Sequence, residues 1–137
     1  MTRPILLVED APNDIEFALL ALKKCGVTNE VIVANDGEEA LDYLLCRRQY
    51  QHRQPGNPGL VLLDLKLPSV DGITVLSTIR ATPGLTSIPV VVLTGSALEA
   101  DISTTVALGI EEYVVKPMDI QQFIKTMCSL ASRFIRH

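Results

Sequence analysis

Short apolar runs alternate along this chain with longer stretches in which apolar residues recur at every third or fourth position. The runs predict strands at Pro4–Val8, Glu30–Ala34, Gly59–Leu63, Ile88–Leu93 and Glu112–Val115. Leu60-Val61-Leu62-Leu63 and Val90-Val91-Val92-Leu93 hold no polar residue, the mark of strands buried on both faces of a parallel sheet. The stretches between predict helices over Asn13–Cys25, Gly37–Gln49, Gly72–Arg80, Leu98–Leu108 and Asp119–Arg136. Gly26 and Gly109 sit where a helix ends in a left-handed residue. Asp36 suits the N-cap of the second helix. Five strand–helix repeats predict an α/β fold: a five-stranded doubly wound parallel sheet, (βα)5, with right-handed crossovers that place helices on both faces.

The segment Arg47–Pro58, rich in Gln, Pro, Gly and Asn, reads as a loop longer than such connections usually are. It is either a tolerated surface insertion or a partner-specific contact. With 137 residues, no repeat and no linker, residues 1–137 are expected to form one domain with no effector domain attached. Twelve basic against sixteen acidic residues give a formal charge of −4, which disfavours a nucleic-acid partner. The apolar runs are too short to span a bilayer or to serve as a signal peptide. Cys25, Cys46 and Cys128 are odd in number and widely spaced. They are expected to be unpaired small apolar residues in a reducing cytoplasm.

Ligands of an open parallel sheet bind at the carboxyl ends of its strands. Glu9 and Asp10 follow the first strand, Asp64 the third, Thr94-Gly95-Ser96 the fourth and Lys116-Pro117 the fifth. Four separate segments thus bring polar residues to one sheet edge. A phosphate-binding loop would place glycines after the first strand. Here Glu9-Asp10 would repel phosphate and suit a hard cation bound through oxygen, Mg²⁺ above all. Asp64 can act as a nucleophile, since carboxylates form aspartyl phosphates. A divalent ion would relieve the repulsion around it, and Lys116 and Thr94 offer donors to phosphoryl oxygens. The residues describe an in-line phosphoryl-transfer site.

These segments, Val8-Glu9-Asp10, Asp64-Leu65-Lys66-Leu67-Pro68 with Asp71-Gly72, Leu93-Thr94-Gly95 and Tyr113-Val114-Val115-Lys116-Pro117, together resemble a response-regulator receiver domain of two-component signalling, CheY-like, over nearly the whole chain. The resemblance implies that Asp64 is the phosphoacceptor, charged by a sensor histidine kinase. It implies that Glu9, Asp10, Asp64 and the backbone carbonyl of Lys66 hold Mg²⁺, and that Thr94 and Lys116 contact the phosphoryl group. Tyr113 would be the switch aromatic that follows Thr94, and Lys116–Pro117 a cis peptide. Such a domain is not an enzyme with a separate substrate; it assists only its own phosphorylation and slow dephosphorylation. Lys66 departs from the usual choice at its position. The Asp-Leu-x-Leu-Pro segment and the long loop resemble stand-alone regulators paired with phytochrome-type histidine kinases. On residue type alone, Lys116 could still be a surface lysine, Tyr113 a packing residue and Pro117 a trans proline at a helix start.

Two surfaces are candidates for partners. A stripe of Phe17, Ala18, Ala21, Leu22 and Cys25 should face the sheet, leaving Ile15 and Leu19 exposed for a kinase. The last helix, 18 residues from Asp119 to Arg136, would run ~27 Å against about 17 Å for a strand. Phe134 and Ile135 would then overhang the domain. A second copy, joined through the fourth helix, fifth strand and fifth helix, would cover them; the downstream partner is unnamed. Two rivals fit less well. A haloacid-dehalogenase-type phosphatase needs an Asp where Lys66 stands, and a flavodoxin-like carrier needs a phosphate loop where Glu9-Asp10 stand.

Overall fold

The computed structural model describes residues 3–116 and 119–135. Five parallel strands, β1 Ile5–Val8, β2 Val31–Ala34, β3 Leu60–Leu63, β4 Val90–Thr94 and β5 Glu112–Val115, pair in the order β2-β1-β3-β4-β5. Five helices alternate with them: α1 Pro12–Lys24, α2 Gly37–Leu44, α3 Gly72–Ala81, α4 Glu99–Leu108 and α5 Ile120–Phe134. The predicted (βα)5 sheet is therefore present: β1, β2 and β3 each begin one residue later than their sequence patterns, β4 begins two residues later and ends one later, and β5 has the expected bounds.

Alternation along the buried strands divides the core in two. Leu6, Val8, Val61, Leu63 and Val90 point to one face and pack under α2 and α3. Ile5, Leu7, Leu60, Leu62, Val91 and Leu93 point to the other, under α1 and α5. Each fully buried aliphatic side chain stabilises by about 1.5–3 kcal/mol, so the central strands are fixed from both sides. That rigidity sets the carboxyl edge, because Val8, Leu63 and Val92 align in register there.

The helix ends follow local chemistry. Asp36, Asp71 and Asp119 accept N-cap hydrogen bonds from Glu39, Thr74 and Gln122. Gly109 closes α4 at φ +95°. Helix α2 stops at Leu44 and does not reach Gln49, because Cys46 and Arg48 adopt φ values of 53° and 55° that reverse the chain. The long loop is tied down. Arg47 and Arg48 meet the buried Asp42, the Tyr50 hydroxyl donates to Glu39, and Arg53 lies over the Tyr43 ring at 4.0 Å. Burial and the neighbouring Glu39 carboxylate push the Tyr50 phenol up to about 12.

Three expectations about side chains need correction. Along α1, Ala18, Ala21, Leu22 and Cys25 face the core and Leu19 is exposed as expected, but Ile15 packs on the core while Phe17 is 51% exposed. The helix packs on α5 as well as on the sheet. Phe134 and Ile135 do not overhang, because α5 ends at Phe134 and both residues pack on the α1–α5 half of the core. Cys25 and Cys128 form a disulfide with Cα atoms 5.2 Å apart. Their 103-residue separation concealed that α1 and α5 lie side by side on one face. Cys46 is the free thiol among the described residues.

Closing so long a loop limits the unfolded chain, so reduction or Cys128→Ser should cost about 2–4 kcal/mol in urea unfolding, with Cys46→Ser near neutral. A second outcome concerns pH. The Tyr50 phenol is raised in the folded state from 10.0 to about 12. Its contribution to stability is intact below pH 10 and is lost as pH rises through about 12. Phenolate absorbance should show a last transition there that Tyr50→Phe removes.

Candidate functional site

The carboxyl edge of the sheet gathers the predicted acids. Glu9 and Asp64 are buried immediately after β1 and β3, and Asp10 is exposed beside them. One oxygen from each lies within 4.8 Å of the other two. Such spacing among three carboxylates matches an oxygen-ligated divalent cation and is otherwise repulsive. Burial raises the pKa of Glu9, opposed by its hydrogen bond and charge pairing with Lys116 and reinforced by Asp64.

Lys116, at the end of β5, is the cation of the site. Its Nζ donates to Glu9 Oε1 at 2.7 Å and to Asp14 Oδ2 at 2.8 Å, and lies 3.8 Å from Asp64 Oδ2. Burial works against its charge, yet the bonds to Asp14 and Glu9 carry its pKa above the ordinary value. Asp14 was absent from the residues singled out by sequence. An aspartate in the first turn of a helix reads as a partner of the helix dipole, and no spacing rule ties it to a lysine 102 positions away.

The loop after Asp64 is held close. The Lys66 amide donates to Asp64 Oδ1 at 3.3 Å, while the Lys66 side chain is exposed. Gly72 at the start of α3 packs so tightly that a Cβ there would fall 2.2 Å from the Asp64 carbonyl oxygen. This close approach explains the Asp71-Gly72 pair.

Thr94 is wholly buried at the end of β4, and its Oγ1 accepts from the Ser96 amide at 3.4 Å. The Ser96 hydroxyl donates to Asp101 of α4 at 2.6 Å, and the Tyr113 hydroxyl donates to the Ser96 carbonyl at 2.8 Å. Burial pushes the Tyr113 phenol up, against that bond to Ser96. Thr94 and Tyr113 are thus linked through Ser96, which the sequence reading placed at the edge without a role. Pro117, expected after a cis peptide, lies outside the described residues. A cavity of about 410 Å³ opens over the acids, walled by Asp14, Phe17, Lys66, Thr94, Lys116 and Ile120.

Residues 5–127 match the family described as the response regulator receiver domain, and the chain belongs to that family. It is therefore a phosphorylation-dependent module of two-component signalling, with a histidine kinase as partner class, and a signalling domain rather than a dedicated catalyst. Among curated relatives, response regulator Rcp1 of Synechocystis sp. is 36% identical over 128 residues, 93% of this chain and 86% of that one. Among solved structures, the bacteriophytochrome response regulator RtBRR is 48% identical with a TM-score of 0.84, covering 95% of this chain and 78% of that one. The phosphorylated cyanobacterial phytochrome response regulator RcpA is 36% identical with a TM-score of 0.88, covering 98% and 94%. Rcp1 also has a Mn²⁺-bound structure, which superposes with a TM-score of 0.85 at 35% identity, covering 95% and 92%. No helix among the described residues is long and apolar enough to cross a membrane.

Proposed function

We propose that Asp64 accepts a phosphoryl group from a phytochrome-type sensor histidine kinase, in the cytoplasm, and that Mg²⁺ supports the transfer. The carrying observation is the convergence of Glu9, Asp10 and Asp64 within 4.8 Å beside the Lys116 ammonium. Glu9, Asp10, Asp64 and the main-chain carbonyl of Lys66 would hold the ion, which supplies neutralisation of charge on the transferring group. The Mn²⁺ in a Rcp1 structure and the phosphorylated state of RcpA support this assignment.

In the transfer, a carboxylate oxygen of Asp64 forms the new O–P bond as the donor N–P bond breaks. That electron pair stays on the donor imidazole, which takes up a proton. Lys116 serves as a point charge for a phosphoryl oxygen, and the Thr94 hydroxyl for another. The domain assists its own charging and slow hydrolysis and nothing else.

Output leaves through α4, β5 and α5. Thr94 movement reaches Tyr113 and α4 through Ser96 and Asp101, whose hydrogen bonds connect them. β5 is an edge strand, and Leu98, Val106 and Val115 on this face are exposed. A second copy of the chain is the proposed cover, in place of the overhang expected from Phe134 and Ile135.

Incubation with acetyl phosphate and Mg²⁺ should add the mass of one phosphoryl group. Asp64→Asn and chelation with EDTA should each abolish it. Asp10→Asn should weaken Mn²⁺ binding, read by electron paramagnetic resonance, by at least about tenfold, a loss typical even of an outer-shell partner. A mass gain that persists in Asp64→Asn contradicts the assignment. For the dimer, light scattering should give twice the chain mass in the phosphorylated state. The mass of one chain in both states would remove it.

A further inference from the structure

Lys116 is held by an anion that phosphoryl transfer does not use. Its ammonium donates to Glu9 at 2.7 Å and to Asp14 at 2.8 Å, whereas the closest Asp64 oxygen is 3.8 Å away, beyond hydrogen-bond distance. Both short bonds draw Nζ toward the β1–α1 side of the site and away from β3. Two of the three N–H donors of the ammonium are occupied by this arrangement.

Glu9 and Asp14 differ in what else they can bind. Glu9 shares its oxygens with the cluster it forms with Asp10 and Asp64; Asp14 is not a member of that cluster. A cation held by the three acids would compete with Lys116 for Glu9, whereas Asp14, outside that cluster, would remain available to the ammonium. It stands at the rim, partly exposed, on the wall of the same 410 Å³ cavity that Asp64 and Lys116 line. An aspartate in the first turn of α1 complements the helix dipole whether or not it meets a lysine. The 2.8 Å contact is what marks a further role.

We propose that Asp14 is a positioning residue that parks Lys116 off the phosphoacceptor in the resting protein, so that release of the ammonium from Asp14 is part of charging Asp64. This rests on the assignment of Asp64 as phosphoacceptor and Lys116 as its phosphoryl contact. The release exchanges one charge-assisted hydrogen bond, to a carboxylate at the rim, for another, to a phosphoryl oxygen. The strength of the first bond is subtracted from the second. Asp14 therefore slows charging, and it does so through Lys116.

The test measures charging by acetyl phosphate with Mg²⁺ in the full chain, for wild type, Asp14→Asn, Asp14→Glu, Lys116→Met, Asp64→Asn and the Asp14→Asn/Lys116→Met double variant. Mn²⁺ affinity is measured alongside. Asp14→Asn should charge about two- to fivefold faster, the worth of a partly exposed ion pair. Its Mn²⁺ affinity should stay at the wild-type value, and Asp14→Glu should return the rate toward wild type. In the Lys116→Met background the gain from Asp14→Asn should vanish, since the two groups act as one unit. Three results overturn the proposal: an unchanged or slower Asp14→Asn, an equal gain without Lys116, or a parallel change in Mn²⁺ affinity. A mass gain retained in Asp64→Asn, or no charging of wild type, instead sinks the phosphoacceptor assignment on which it rests.

Discussion

Carboxylates brought together out of water repel one another, and this domain is built around that repulsion. Glu9, Asp10 and Asp64 converge within 4.8 Å, with Asp14 close by, and one lysine ammonium stands among them. Left to itself such a cluster would spread or protonate; the pKa of Glu9 is raised chiefly by burial, with Asp64 adding to it. It is held by backbone that cannot move cheaply. Glu9 and Asp64 follow β1 and β3, the paired central strands whose side chains are buried on both faces. The energy of a large apolar core is thereby set against a local electrostatic strain that a cation would relieve.

The same arrangement connects chemistry to surface. The edge residues are not equivalent: Asp64 sits at the middle of the sheet, whereas Thr94 and Lys116 sit on the strands that lead to its β5 edge. β4 is hydrogen-bonded to the strand that carries Asp64, and β5 lies next beyond it. There, Ser96 accepts from Tyr113 through its carbonyl and donates to Asp101 through its hydroxyl. One buried serine thus joins the end of a strand, the start of α4 and the aromatic ring of β5. The opposite edge, at β2, has a different task. Its neighbour α2 is clamped by the loop from Arg47 to Arg53, whose ties to Asp42, Glu39 and Tyr43 stay within that corner.

The sheet and the acid edge were legible because both are written in short-range patterns. Unbroken apolar runs define buried strands, and a polar residue directly after each run must lie at the edge. What escaped depends on how helices are rotated and which of them touch. The α1 stripe of Ala18, Ala21, Leu22 and Cys25 packs as its spacing implies, but at its start Ile15 faces the core and Phe17 faces solvent, against expectation. Asp14 escaped for a related reason, since its contact with Lys116 joins a helix to a strand at the far side of the chain. The pairing of Cys25 with Cys128 required knowing that α1 and α5 are neighbours, which residue spacing does not encode. The early end of α2 turned on two left-handed residues, Cys46 and Arg48, neither of them glycine.

The Cys25–Cys128 bond fastens α1 to α5 at one point. Phe17 precedes Cys25 by eight residues and Ile120 precedes Cys128 by eight, so each arm measures about 12 Å of helix. Phe17 and Ile120 form part of the cavity wall. The bond therefore ties the two helices covalently about two turns from the wall of the acid cavity, so the spacing of Phe17 and Ile120 is referred to a fixed point behind them.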